Sequence, residues 1–197
     1  ERMPLAEFTL FRAIPSFGDT DRYEGLLDSM ALYNACGTTS VVEAHGIAPR
    51  TMRAWQTARE RGTLTVRGHL LFSPGWGSAS ADDIGTLLAS WLGWLRGRGI
   101  GDEWFSASGL FTEIDGSPER LLRARCAPQT GWAGFLYDAA IPEDAVRALL
   151  IECARNGIRV SGVYKNLLPL YREAAQVAPI GDARWILGHQ FILNAED

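Results

Sequence analysis

Two side chains of complementary chemistry stand two residues apart in Glu43-Ala44-His45-Gly46, directly after the β-rich run Thr38-Thr39-Ser40-Val41-Val42. On an extended strand, residues i and i+2 share a face. A carboxylate and an imidazole so placed could hold one divalent metal ion. The plainer alternative pairs Glu43 with an arginine and lets His45 cap the helix beginning near Pro49. His189-Gln190, after Trp185-Ile186-Leu187-Gly188, offers a metal ligand or simply a hydrogen-bonded histidine at a strand end. Asp115-Gly116-Ser117 reads either as a working carboxylate or as a tight turn, since Asp and Gly both tolerate that backbone. Glu113 alternates with Asp115 and would share its face, a carboxylate pair in which at least one pKa rises. His69 lies inside a strand, before Leu70-Leu71-Phe72, and reads as a satisfied core or interface histidine. Trp76, Phe111 and Tyr164 fit the walls of an apolar pocket or ordinary packing.

What must position these residues is a pattern repeated four times: an amphipathic helix, a Gly, then a β-rich run. The predicted helices are Asp21–Cys36, Arg50–Arg61, Ser80–Arg98 and Pro142–Asn156, followed by Gly37, Gly62, Gly99 and Gly157. In the third, Leu87, Leu88, Trp91, Leu92 and Leu95 have the spacing of a buried stripe. Asp21 and Glu24 have the spacing of a capping box, and Pro142 and Gly157 bracket the fourth helix. A further helix, Leu167–Val177, leads to a last strand around Arg184–His189. Alternation of this kind predicts a parallel sheet with helical crossovers. A doubly wound open sheet and a (β/α) barrel both satisfy it. Neither G-x-G-x-x-G nor a P-loop is present, which weakens a nucleotide-binding domain and favours the barrel. Five strand candidates are too few to close eight strands. Residues 1–197 are therefore expected to be the central segment of a (β/α)8 TIM-type barrel whose N- and C-terminal strands lie elsewhere. In such folds function gathers at the carboxyl ends of the strands.

Composition narrows the partners. A net charge of −4 and a pI near 5.4 give no basic field for nucleic acid or anionic lipid. The apolar runs are far too short to span a bilayer. Cys36, Cys126 and Cys153 are odd in number and unpatterned, which points to a reducing cytoplasm rather than a disulfide framework. Most of the seven Trp residues are expected in a core or a subunit interface.

Three stretches resemble family 3 of the amidohydrolases, a branch of a metal-dependent hydrolase superfamily. Asn34 to Glu43 is similar to its "G-[IV]-T-[ST]-V" strand, and Gly109 to Ser117 to its "G-V-K-L-F-x-D-G-S" segment. Cys153 to Val160, with Arg184 to Gln190, resembles its "A-x-x-x-G-x-x-V" and "R-I-E-H-A-Q" stretches. The resemblance implies one or two divalent ions at the barrel mouth and a metal-activated water attacking an amide-like carbonyl. It also carries departures. The family's first-strand His-x-His and last-strand Asp are absent, its bridging lysine aligns with Phe111, and one histidine aligns with Val163. His189 is kept. The implied centre is mononuclear or rearranged, with Glu43, His45 and His189 as ligands, Asp115 and His189 as catalytic groups, and Trp76, Tyr164 and Phe111 against the substrate. Zinc is the expected ion, with cobalt or manganese as alternatives, and the expected reaction is hydrolysis of a C–N bond in an amide, carbamate or cyclic amide. The alternative is a degenerate, non-catalytic barrel that binds a small molecule or a partner subunit. Either way, the remaining barrel segments or a second chain, and assembly as a homo-oligomer, are expected to cover the open core.

Overall fold

The structure, a computed structural model, describes residues 13, 15, 17–73, 80–114, 140–163 and 165–188. Within them the chain runs α1 (Asp19–Ala35), β1 (Ser40–Ile47), α2 (Pro49–Glu60), β2 (Arg67–Phe72) and α3 (Ala81–Leu87). It continues through β3 (Ile100–Gly101), β4 (Phe105–Ile114), β5 (Ala140–Ile141), α4 (Glu143–Arg155), β6 (Val160–Val163), α5 (Leu168–Val177) and β7 (Ile186–Gly188). The expected strands and helices are present with ends shifted by a few residues, except the helix expected over 80–98, which is α-helical for less than half that length. Two short strands are additional. β3 pairs antiparallel with the start of β4, and β5 pairs parallel with its end.

Spatial order is β1-β2-β4-β6-β7, with every one of these neighbours parallel. Each principal strand is thus added on the same side of the one before it. A doubly wound sheet reverses direction partway; this one does not. The helices accordingly share one face. Val41, Leu70 and Phe105 pack in one cluster with Trp55 and Met52 of α2, while Phe72, Leu110 and Val160 pack with Leu149, Leu150 and Cys153 of α4. The fold is an α/β half-barrel sheet with helical crossovers. Cα atoms of β1 and β6 approach within 8 Å, whereas straight strands of a flat sheet would lie about 14 Å apart at three spacings; the end of β1 crosses the face opposite the helices.

Local chemistry explains the boundaries. The Asp21 carboxylate accepts the Gly18 amide at 2.7 Å, so α1 starts a turn earlier than the expected Asp21–Glu24 box. The predicted helix 80–98 is α-helical only to Leu87. It then widens into a π turn over Leu88–Leu92 and tightens into a 3₁₀ turn over Gly93–Leu95. Gly93 and the left-handed Gly97 and Gly99 weaken its second half. Leu88 and Leu95 of its apolar stripe are buried; the side chains of Trp91 and Leu92 lie outside the described part. α2 is capped at Ala48, not by His45, which belongs to β1 itself.

Two irregularities decide where the strand-end side chains point. Between the pairs Leu70↔Ala107 and Phe72↔Leu110, β4 spends one more residue than β2. The extra residue falls at Gly109, whose φ of 84° is open to glycine at little cost. The bulge moves Leu110 to the helix side and sends Phe111 and Glu113 to the same inner face as Ser106 and Ser108. In β1 the register with β2 also slips between Glu43 and Ile47. There Gly46 (φ 81°) lets the strand fold across the inner face; a Cβ on it would lie 2.4 Å from the Phe111 Cβ and 2.9 Å from the Ser73 Cβ.

Candidate active site at the carboxyl ends of the strands

The slip in β1 carries the His45 ring over the inner face, where it meets Phe111 edge-on with ring centroids 4.6 Å apart. Its Nε2 lies 4.0 Å from Oε1 of Glu113, a side chain only 15% exposed. That separation is beyond a direct hydrogen bond. It is close to the spacing of two donors that share one small atom, about 3.4 Å for ligands near 2.1 Å on a tetrahedral ion. Glu43 does something different. Its register partner is Leu70, on the helix side, and its carboxylate accepts the His45 backbone amide at 2.9 Å. The period-two expectation that Glu43 and His45 point the same way fails here because the strand is not regular between them. Glu43 makes no ion pair among the described residues, and its carboxylate instead holds the backbone that aims His45.

Ser73, one residue past β2, completes the rim. It is fully buried, and its hydroxyl has no hydrogen-bond partner among the described residues. A buried hydroxyl left unmatched costs on the order of 1–3 kcal/mol, a penalty that a ligand group could remove. Phe111 forms the floor, 1% exposed and packed against Val163. These are the two positions at which the resembled family carries its bridging lysine and a histidine. They do come together, but as an apolar contact.

Trp76, Asp115, Tyr164 and His189 lie outside the described residues, so the structure neither joins them to His45 nor separates them from it. In sequence they come after the ends of β2, β4, β6 and β7 by at most four residues. Among the described residues no group of three or more His, Cys, Asp or Glu side chains is arranged to hold a metal ion. His45 and Glu113 are donors of suitable chemistry, but an open catalytic zinc site takes three protein ligands, and the third would have to come from beyond them. Glu113 was legible in the sequence only as a companion to Asp115. The signal for its actual partner was Gly109, since a glycine inside a strand pattern marks a bulge that re-aims the side chains beyond it.

The third histidine serves another layer. His69 is bonded through both ring nitrogens: Nδ1 to the Ser106 hydroxyl at 2.8 Å, Nε2 to the Ser108 hydroxyl at 3.0 Å and to Arg159 Nη1 at 2.7 Å. A guanidinium only donates, so Nε2 must be the acceptor and the proton sits on Nδ1. Burial, then the Arg159 charge, holds the imidazole below its ordinary pKa.

Among the described residues no helix is long and apolar enough to cross a membrane. No family model, curated protein or solved structure matches the chain.

Proposed function

We propose that the chain forms part of a (β/α)8 TIM-type barrel and contributes the reaction centre of a metal-dependent hydrolase that cleaves a C–N bond in an amide, carbamate or cyclic amide. The observation that carries the reading is the His45–Glu113 pair, 4.0 Å apart on the inner face at the carboxyl end of the sheet. Zinc, or cobalt or manganese in its place, would be held by His45 and Glu113 with a further donor from His189. When bound, such an ion supplies a water whose pKa falls toward 7. Asp115 serves as general base, and His189 steadies the developing oxyanion where it is not a ligand. Glu43 holds the backbone that aims the imidazole of His45. Phe111 gives the pocket an apolar floor, and Trp76 and Tyr164, close after strand ends in sequence, would serve as its walls, which suits a hydrophobic amide-like substrate.

One observation favours a second reading. Phe111 and Val163 fill with hydrocarbon the positions where the resembled family has a lysine and a histidine. A barrel that has lost these groups and keeps only its pocket would bind a small molecule or a partner subunit without catalysis.

Elemental analysis of the purified protein and of His45→Ala separates the readings. The hydrolase reading expects near-stoichiometric divalent metal in the parent, most of it lost in the variant, and amide turnover reduced by about a hundredfold or more. Unchanged metal in the variant would remove His45 from the shell, and a metal-free parent would leave the second reading.

A further inference from the structure

At the opposite end of the sheet, a cavity of about 660 Å³ opens on the inner face, lined among others by Ser40, Arg67, His69, Arg98, Ser106 and Arg159. We propose that it binds a small molecule through an oxyanion, a phosphate or carboxylate group seated among Arg67, Arg98 and Arg159.

The charge balance of the cavity points to an anion. Arg159 is partly buried, yet its hydrogen-bond acceptors are both uncharged: its Nε donates to the Ala183 carbonyl at 3.0 Å and its Nη1 to His69 at 2.7 Å. A desolvated guanidinium normally has a carboxylate beside it. None is ion-paired with Arg159 among the described residues, and Arg184 nearby adds charge of the same sign. Arg67 lies over the Trp104 ring, 4.8 Å from its centroid, and forms no ion pair there either. Arg98 is exposed and also unpaired among the described residues. Of the two carboxylates that line the cavity, Asp102 is committed elsewhere, and Glu103 alone does not balance three arginines. Asp102 accepts Arg59 Nε at 2.7 Å and the Trp104 and Phe105 amides at 2.8 and 3.1 Å, and Glu103 adds its charge to the field at Arg59.

Geometry completes the case. The Ala183 carbonyl and the His69–Ser106–Ser108 network fix the Arg159 guanidinium through Nε and Nη1, which leaves Nη2 held in place to donate to a phosphate or carboxylate oxygen. The volume is in the range of small-molecule sites. From His69 to Ser73 along β2 is four residues, roughly 13 Å, so this site is distinct from the rim of His45 and Glu113 and does not depend on how that rim is read.

Titration calorimetry of the protein with inorganic phosphate, and separately with citrate, tests the assignment and tells a phosphate ligand from a carboxylate one. The expected result is saturable binding of at least one of them. Arg159→Gln should weaken it about tenfold or more, Arg98→Gln severalfold, and Arg159→Lys should not restore it. His45→Ala should leave it unchanged. No saturable binding of either anion, or the parent affinity retained in both Arg98→Gln and Arg159→Gln, overturns the proposal. Should Arg159→Gln fail to fold, the exposed Arg98 decides alone.

Discussion

His69 and His45 are the same residue type in neighbouring strands, and their surroundings give them different work. The ring of His69 is closed in by two hydroxyls and a guanidinium that can only donate. Protonating it would set Nε2–H against Arg159 Nη1. Its pKa is depressed in the fold, so it contributes stability above the unfolded value of about 6.5, and that contribution is lost as pH falls through the folded value. We expect the thermal midpoint to fall as the pH is lowered from 7 toward 5. In His69→Gln that decline should be shallower; an identical profile in the two proteins would show that His69 does not titrate in the fold. At the rim, the residue types alone named His45 and Glu43 as a pair. The pair the structure forms is His45 and Glu113, because each strand departs from strict alternation before its functional residue.

At the scale of the element, both departures rest on glycine. Gly46 has a left-handed backbone and no room for a Cβ between Phe111 and Ser73. Gly46→Ala combines backbone strain of about 1–2 kcal/mol with overpacking of about 1–3 kcal/mol. A loss of about 2–5 kcal/mol in urea unfolding is expected from these two terms, together with loss of whatever activity depends on His45. A change under about 1 kcal/mol, below the range for overpacking alone, would mean that β1 does not cross the inner face as described. Helices and strands were readable because their apolar spacing is local, and the repeat of helix, Gly and β-run marked nearly every element. The break of helix 80–98 and the short strands β3 and β5 were not. They depend on what packs against them, as when Gly97 to Gly101 turns back along β4.

For the whole molecule, β1 and β7 are the edge strands of the described sheet. Val42, on the inner face, is 58% exposed although it is a β-branched apolar residue. Open edges and an open apolar face favour association. The polypeptide 1–197, prepared alone, is expected to elute with light-scattering masses that are multiples of 21.6 kDa. A monodisperse 21.6 kDa species that binds no hydrophobic dye would count against closure of this sheet by further strands. The winding itself distinguishes the two architectures that alternating elements allow. Strand order runs one way and the helices described occupy one face, as in a half-barrel sheet, with no reversal that would open a crevice between two halves.

The amino-acid sequence by itself determined the element types, the parallel sheet and the set of residues at strand ends, because hydrophobic period and glycine punctuation act over a few residues. Which of those residues meet was decided only by tertiary structure. A bulge of one residue reverses every later side chain in a strand, and the pairing register that reveals it is a property of two strands together. For the same reason the arginine cavity was invisible in the chain: Arg67, Arg98 and Arg159 are far apart in sequence, and only the pairing of the strands brings them to one cavity.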